Sequence, residues 1–306
     1  MKKSFLFSRF YVLPALILIL SLAACQKEKS SSTLTEAEEE QIASASAEAD
    51  SESDLYFDDV FNNVIGVNDE VGMQGTGIFG GRVTGMDSMP PCVQVTVTRL
   101  NAPNPFPVRI VTDFGTAGCT GRDGHTRYGK IITVYTGRLT DPGKSATTTF
   151  ENYRVDSLSI QGKHTTTNTS TPGSVPPQRQ FTVTVENGKL TRPNGNYHLR
   201  NAHRVITQAE GLSTPLLPLD DVFTITGNAS GTVKRGSLIT NWESEITEPL
   251  RKRFTCRWIS KGRNRVIRRN LPGNSPWISI LDFGQGACDN QATRTVNGIT
   301  YQITLH

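Results

Sequence analysis

Apolar and polar residues alternate with a period of two through the C-terminal three quarters of the chain. Val93, Val95 and Val97 alternate with Gln94, Thr96 and Thr98. Phe181, Val183 and Val185 alternate with Thr182 and Thr184, and Tyr301, Ile303 and Leu305 with Gln302 and Thr304. Each run predicts a strand with one apolar and one wet face. Threonine suits the wet face because it is β-branched and carries a hydroxyl. Turn signals fall between the runs: Asn187-Gly188, Pro193-Asn194-Gly195, Asn297-Gly298 and Pro142-Gly143. No helical period of useful length follows residue 70. The body is therefore expected to be all-β, an elongated antiparallel meander of hairpins.

An internal repeat organises this body. Asp113-Phe114-Gly115 begins six residues before Cys119, and Asp282-Phe283-Gly284 stands in the same relation to Cys288. Gly129 and Gly298 each lie ten residues after the cysteine, and each copy has an upstream cysteine, Cys92 or Cys256. An apolar run, Val108–Val111 or Trp277–Leu281, leads into each Asp. Matched offsets of this kind indicate two related β-units flanking a middle section. Three pairings of the four cysteines are possible in principle. The repeat favours Cys92–Cys119 and Cys256–Cys288, each closing a loop of about 30 residues worth roughly 3–4 kcal/mol in the chain-entropy account.

The N-terminal segment breaks the pattern. Lys2, Lys3 and Arg9 precede an apolar stretch, Phe10 to Leu20, too short to span a bilayer, which needs about 20 residues. It ends in Leu22-Ala23-Ala24-Cys25, which looks like the bacterial lipobox, where a cysteine is acylated and becomes the new N-terminus. Setting Cys25 aside for lipid leaves an even cysteine set, as expected of a disulfide-stapled exported domain. Several acyl chains on one cysteine make anchoring effectively permanent.

Charge divides the chain again. Between Lys27 and Glu70 there are 13 acidic residues against 2 basic; from Val71 onward there are 27 basic against 15 acidic. Thr35 and Glu38 match a capping box, which predicts a short exposed helix through Glu36–Ala47. A disordered, self-repelling tether fits this composition equally well. Either would act as a spacer. The expected organisation is an export signal at 1–24, an acidic tether at 25–70, a first β-unit at 71–150, middle hairpins at 151–248 and a second β-unit at 249–306.

Candidate chemistry is sparse. Two Asp residues at equivalent repeat positions invite comparison with paired catalytic carboxylates. Phe follows each of them where aspartic proteases carry Thr or Ser, so a turn with Asp capping backbone amides, Phe packed inward and Gly at positive φ is expected. The five histidines, His125, His164, His198, His203 and His306, show no metal-ligand spacing and read as surface residues, with His198 and His203 on opposite faces of a strand. Nucleophile-elbow, phosphate-loop and dinucleotide motifs are absent from the sequence, so no catalytic residue, cofactor or metal is assigned. A basic run, Arg251, Lys252, Arg253, Arg257, Lys261, Arg263, Arg265, Arg268 and Arg269, is the candidate patch for an anionic glycan, lipopolysaccharide phosphates or anionic headgroups. A solvated hairpin face explains it as well. Nucleic acid is disfavoured by export and by the lack of interleaved aromatics.

With these motifs, and with Val111-Thr112-Asp113-Phe114-Gly115-Thr116, Asp221-Val222-Phe223-Thr224-Ile225-Thr226-Gly227 and Cys256-Arg257-Trp258-Ile259, the chain resembles uncharacterised lipoproteins of Bacteroidota. The resemblance implies a cell-envelope protein and carries no activity. Asp87-Ser88-Met89 and Asp156-Ser157-Leu158 look like the O-glycosylation sequon of such bacteria. Gln26-Lys27-Glu28 after the anchor favours the outer membrane by analogy and matches a surface-export signal only in part, so it assigns no particular face of that membrane. The functional expectation is a non-enzymatic binding or structural lipoprotein, with another envelope protein or a glycan as partner. The alternative is an envelope or polysaccharide hydrolase using carboxylates.

Overall fold

The computed structural model describes residues 35–65, 90–121, 124–175, 178–214, 218–268, 278–296 and 298–305. Cys25 and the export segment, Asp87-Ser88-Met89, Arg269, Trp277, Asn297 and His306 lie outside these residues.

The alternating segments form fourteen strands: β1 (Gln94–Arg99), β2 (Val108–Asp113), β3 (Cys119–Thr120), β4 (Thr126–Tyr135), β5 (Ser145–Val155), β6 (Leu158–Asn168), β7 (Gln180–Thr191), β8 (Tyr197–Glu210), β9 (Val222–Arg235), β10 (Leu238–Arg253), β11 (Lys261–Arg268), β12 (Ile278–Gln285), β13 (Gln291–Val296) and β14 (Ile299–Thr304). They make one antiparallel meander in which neighbours in sequence are neighbours in space, except that β2 pairs with β4 and the short β3 flanks β4. Of the predicted apolar faces, that of β7 points into the core, with Phe181, Val183 and Val185 buried, while Tyr301, Ile303 and Leu305 are half-buried. β1 is an edge strand exposed on nearly all positions, and Val97 is 43% exposed there.

The two disulfides are Cys92–Cys119 and Cys256–Cys288, as the repeat implied. Each unit has the same plan, a cysteine before a strand that pairs with the strand bearing Asp-Phe-Gly: β1 with β2, and β11 with β12. The units occupy opposite ends of the sheet. The repeat does not extend to its glycines. Gly129 sits inside β4 at a register shift against β5, whereas Gly298 belongs to the β13–β14 turn.

The acidic segment differs most from expectation. It forms a 30-residue helix, α1 (Glu36–Ile65), that lies in the main core and is not an exposed spacer. The capping box starts it as read: the Thr35 N–H donates to Glu38 Oε2 at 2.9 Å and the Glu38 N–H to Thr35 Oγ1 at 3.3 Å. Ile42, Ala45, Ala47, Ala49, Phe57, Val60, Phe61 and Val64 are all buried. At about 100° per residue, the buried positions sweep roughly 200° of the helix circumference, about twice the stripe of an ordinary surface helix. Ala and Ser on the N-terminal half let the sheet approach closely, while Phe57 and Phe61 fill the wider space beyond.

The sheet curls to achieve this. Tyr301 on β14 donates to Glu40 Oε1 at 3.1 Å, and Tyr135 on β4 donates to the Val64 carbonyl at 3.0 Å, so one helix touches the last strand of the meander and the third from its other end. Register shifts recur across the strand pairs from β4/β5 to β11/β12 and allow the bending. Asn187-Gly188, predicted as a turn, is one of these bulges inside β7, with Asn187 at φ 52°. A Cβ on Gly188 would come within 2.9 Å of the Phe57 ring, and one on Gly162 within 2.7 Å of the Gly188 Cα. Glycine there lets two bulged backbones meet beneath the helix. The other turn signals hold: Pro193-Asn194-Gly195 joins β7 to β8, and Pro142-Gly143 joins β4 to β5.

Candidate binding cavity

Between one face of α1 and the concave sheet lies a cavity of about 350 Å³. Glu48, Ser51, Glu52, Leu55 and Asp58 face it from the helix, a spacing of three and four residues that puts them on one side. Val183, Val185, Ala202, Ile206, Ile225 and Leu250 form its apolar wall, with Phe283, Ile303 and Leu305 on the far strands. Its size falls within the range of small-molecule sites, roughly 300–1,000 Å³.

Sheet and helix contribute opposite charges. Strand β8 turns His198, Arg200, Ala202, Arg204 and Ile206 inward on alternate positions. Arg200, only 1% exposed, forms ion pairs with Asp50 and Asp54, and Arg204 Nη2 lies 3.4 Å from Asp54 Oδ2. Asn264 of β11 donates to the second oxygen of Asp50. Burial works to raise the Asp50 pKa, but Arg200 and Arg204 together overcome it and hold the carboxyl below its usual range. Further along, Arg192 Nη2 lies 2.6 Å from Glu52 Oε1, and Lys252 Nζ lies 2.6 Å from Asp58 Oδ2. Glu48 lies 3.8 Å from both Arg235 and Arg294.

Two histidines read as surface residues are in the core. His164 is fully buried, stacks on Phe57 with centroids 6.2 Å apart, and lines the cavity with neither ring nitrogen hydrogen-bonded. Burial pushes its pKa down to about 4. His198 is 2% exposed, and burial, reinforced by Arg235 and Arg192, pushes its pKa down to about 3. Glu52 Oε2, 3.3 Å from its Nδ1, does not outweigh them. His203 faces the opposite side of β8, exposed, as the spacing implied. His125 contacts Asp156 at 2.8 Å near the surface.

The first Asp-Phe-Gly motif is the expected turn after β2, whereas the second lies inside β12, at a register shift against β11. Asp113 Oδ1 accepts the Gly115 N–H at 2.8 Å and Asp282 Oδ1 the Gly284 N–H at 2.9 Å; both glycines have positive φ, and Phe114 and Phe283 are buried. The two carboxylates stand at opposite ends of the sheet and share no proton. Among the described residues no group of three or more His, Cys, Asp or Glu is arranged to hold a metal ion.

The basic run is dispersed. Arg251 pairs with Glu210, Lys252 with Asp58, Arg263 with Asp282 at 2.7 Å, and Arg265 with Glu245 at 2.9 Å. Arg268 is buried and donates to Thr240 Oγ1 at 3.1 Å. Arg253 and Arg257 are exposed, the latter lying over the Trp258 ring at 5.3 Å, and Lys261 is half-buried. Among the described members of the run, Arg257 alone lines the cavity.

Sequence reasoning missed the cavity because its lining runs from Glu48 to Leu305. A usable signal was present: arginines in the inward phase of β8, and acids at every second position from Glu48 to Asp54 in a segment with few other charges. No helix among the described residues is long and apolar enough to cross a membrane. No protein-family model, curated protein or solved structure matches this chain.

Proposed function

We propose that this protein is a lipid-anchored envelope lipoprotein that acts by binding, and that its ligand is a small amphipathic molecule held between α1 and the sheet. The observation that carries this reading is the cavity itself, walled by aliphatic side chains from β7 to β10 and edged by arginines. A closed core would bring those aliphatic groups together, since interiors otherwise pack to crystal-like density. The hydrolase alternative draws less support. Each cavity carboxylate, Glu48, Glu52, Asp54 and Asp58, faces a cationic side chain. That arrangement favours structural ion pairs over an acid and base poised to exchange a proton.

The test is displacement of a fluorescent alkyl-chain probe by dodecanol from the wild type and from Ala202→Phe. Ala202 is 6% exposed on the apolar wall, so the ring fills the cavity. Binding is expected to weaken at least tenfold while the thermal melt stays cooperative. Undiminished dodecanol binding in that variant would rule the cavity out as the site.

A further inference from the structure

The charges around α1 are unequally matched. Asp50 and Asp54 face Arg200 and Arg204 two for two, and Asp58 has Lys252. Toward the start of the helix, three guanidiniums share two carboxylates. Arg192 takes Glu52 at hydrogen-bonding distance. Glu48 alone stands between Arg235 and Arg294, 3.8 Å from each, too far for a hydrogen bond. Its side chain is 58% exposed, so solvent screens the attraction, whereas Arg235 and Arg294 are only 19% and 12% exposed. Arg294 also donates from Nη1 to the Ser44 hydroxyl oxygen, yet its Nε is buried with no acceptor among the described residues. Arg192 lies close enough to Arg235 to repel it, so positive charge is in excess here. All three arginines line the cavity.

We propose that Arg235 and Arg294 form a subsite for the anionic head group, carboxylate or phosphate, of an amphiphile whose apolar part lies in the cavity. Glu48 is the side chain such a head group displaces. The proposal rests on the cavity being the ligand site. A planar guanidinium offers two parallel donors to either anion, and two of them around one point satisfy more acceptor lone pairs than a single shared glutamate does. Ile303 lies two residues along β14 from Tyr301, the register partner of Arg294, and the aliphatic wall borders the same cavity as both arginines.

The experiment compares dodecanoate, dodecanol and inorganic phosphate by calorimetry on the full chain, in the wild type, in Glu48→Gln and in Arg235→Gln/Arg294→Gln. Dodecanoate is expected to bind about tenfold more tightly than dodecanol, the factor that one well-placed charged contact supplies. Glu48→Gln should increase that preference several-fold, and the double variant should abolish it. Equal binding of the two probes in the wild type, unchanged in Glu48→Gln, would overturn the subsite while leaving the cavity reading intact. Failure of dodecanol to bind at all would overturn both. Phosphate binding as tightly as dodecanoate would assign the arginines to a free anion and overturn the amphiphile. Because Glu48 is exposed, its variant decides the matter even if the double variant unfolds.

Discussion

His164, His198 and Asp221 are buried titratable side chains that shape how this protein responds to acid. His164, with its pKa near 4, and His198, near 3, stay neutral in the fold, but in the unfolded chain they take up protons below about pH 6.5. The unfolded state therefore binds more protons as pH falls from about 6.5 towards 4, and stability falls with it. Asp221 acts oppositely. Its pKa is pushed up to about 6, first by burial and then by Asp220, against the opposing influence of Arg179 and the Gln208 amide. Between about pH 3.8 and 6 the folded state keeps a proton that the unfolded state releases, so acid stabilises the fold through this group. His164→Phe, which preserves the stack on Phe57, should flatten the loss of stability between pH 7.5 and 4.5 by about 2–3 kcal/mol. Asp221→Asn should raise stability at pH 7.5 and make the acid loss steeper. Urea melts at the two pH values check both. Parallel pH profiles for wild type and His164→Phe would show that this imidazole is not held neutral.

At the scale of elements, the strands and the helix were unequally legible. β7 could be read directly because Phe181, Val183 and Val185 alternate with threonines, and the paired cysteines followed from the repeat. The start of α1 was legible in its capping box, but its extent and burial were not. Ala, Ser, Asp and Glu on the N-terminal half show no apolar stripe, because the surrounding sheet leaves room only for small side chains and pairs the acids with its own arginines. The same tertiary context hid His164 and His198, and it made Asn187-Gly188 a bulge in place of a turn. The basic run was legible as composition, yet strand alternation sends its members to both faces. The buried helix makes a specific demand. Ala49→Leu, at a position with no exposure, should cost about 1–3 kcal/mol by overpacking. Ala37→Leu, exposed near the helix start, should stay within about 0.5 kcal/mol of wild type. Equal melts for the two variants would return α1 to the role of an exposed spacer.

For the whole molecule, the position of α1 changes what the proposed anchor would do. Thr35 lies ten positions after Cys25, a reach of at most about 35 Å when fully extended. The acidic run beyond them lies inside the fold, so it adds no length to a tether. On the proposed reading, the body is held near the membrane by a short leash whose attachment point is the end of a core helix. Folding and anchoring should then be separable at the cysteine and inseparable a little further on. Cys25→Ser should leave the melt of the body unchanged, because no described core residue precedes Ile42. It should also move the protein from the detergent-extracted membrane fraction to the soluble envelope extract. Removal of residues 1–65 should instead bare the concave face, where Phe181, Ile225, Leu250 and Trp242 lie, and give an aggregating chain without a cooperative melt. Fractionation and thermal melts of the two forms read these outcomes. Retention of Cys25→Ser in the membrane would mean that something other than lipid on this cysteine holds the protein there.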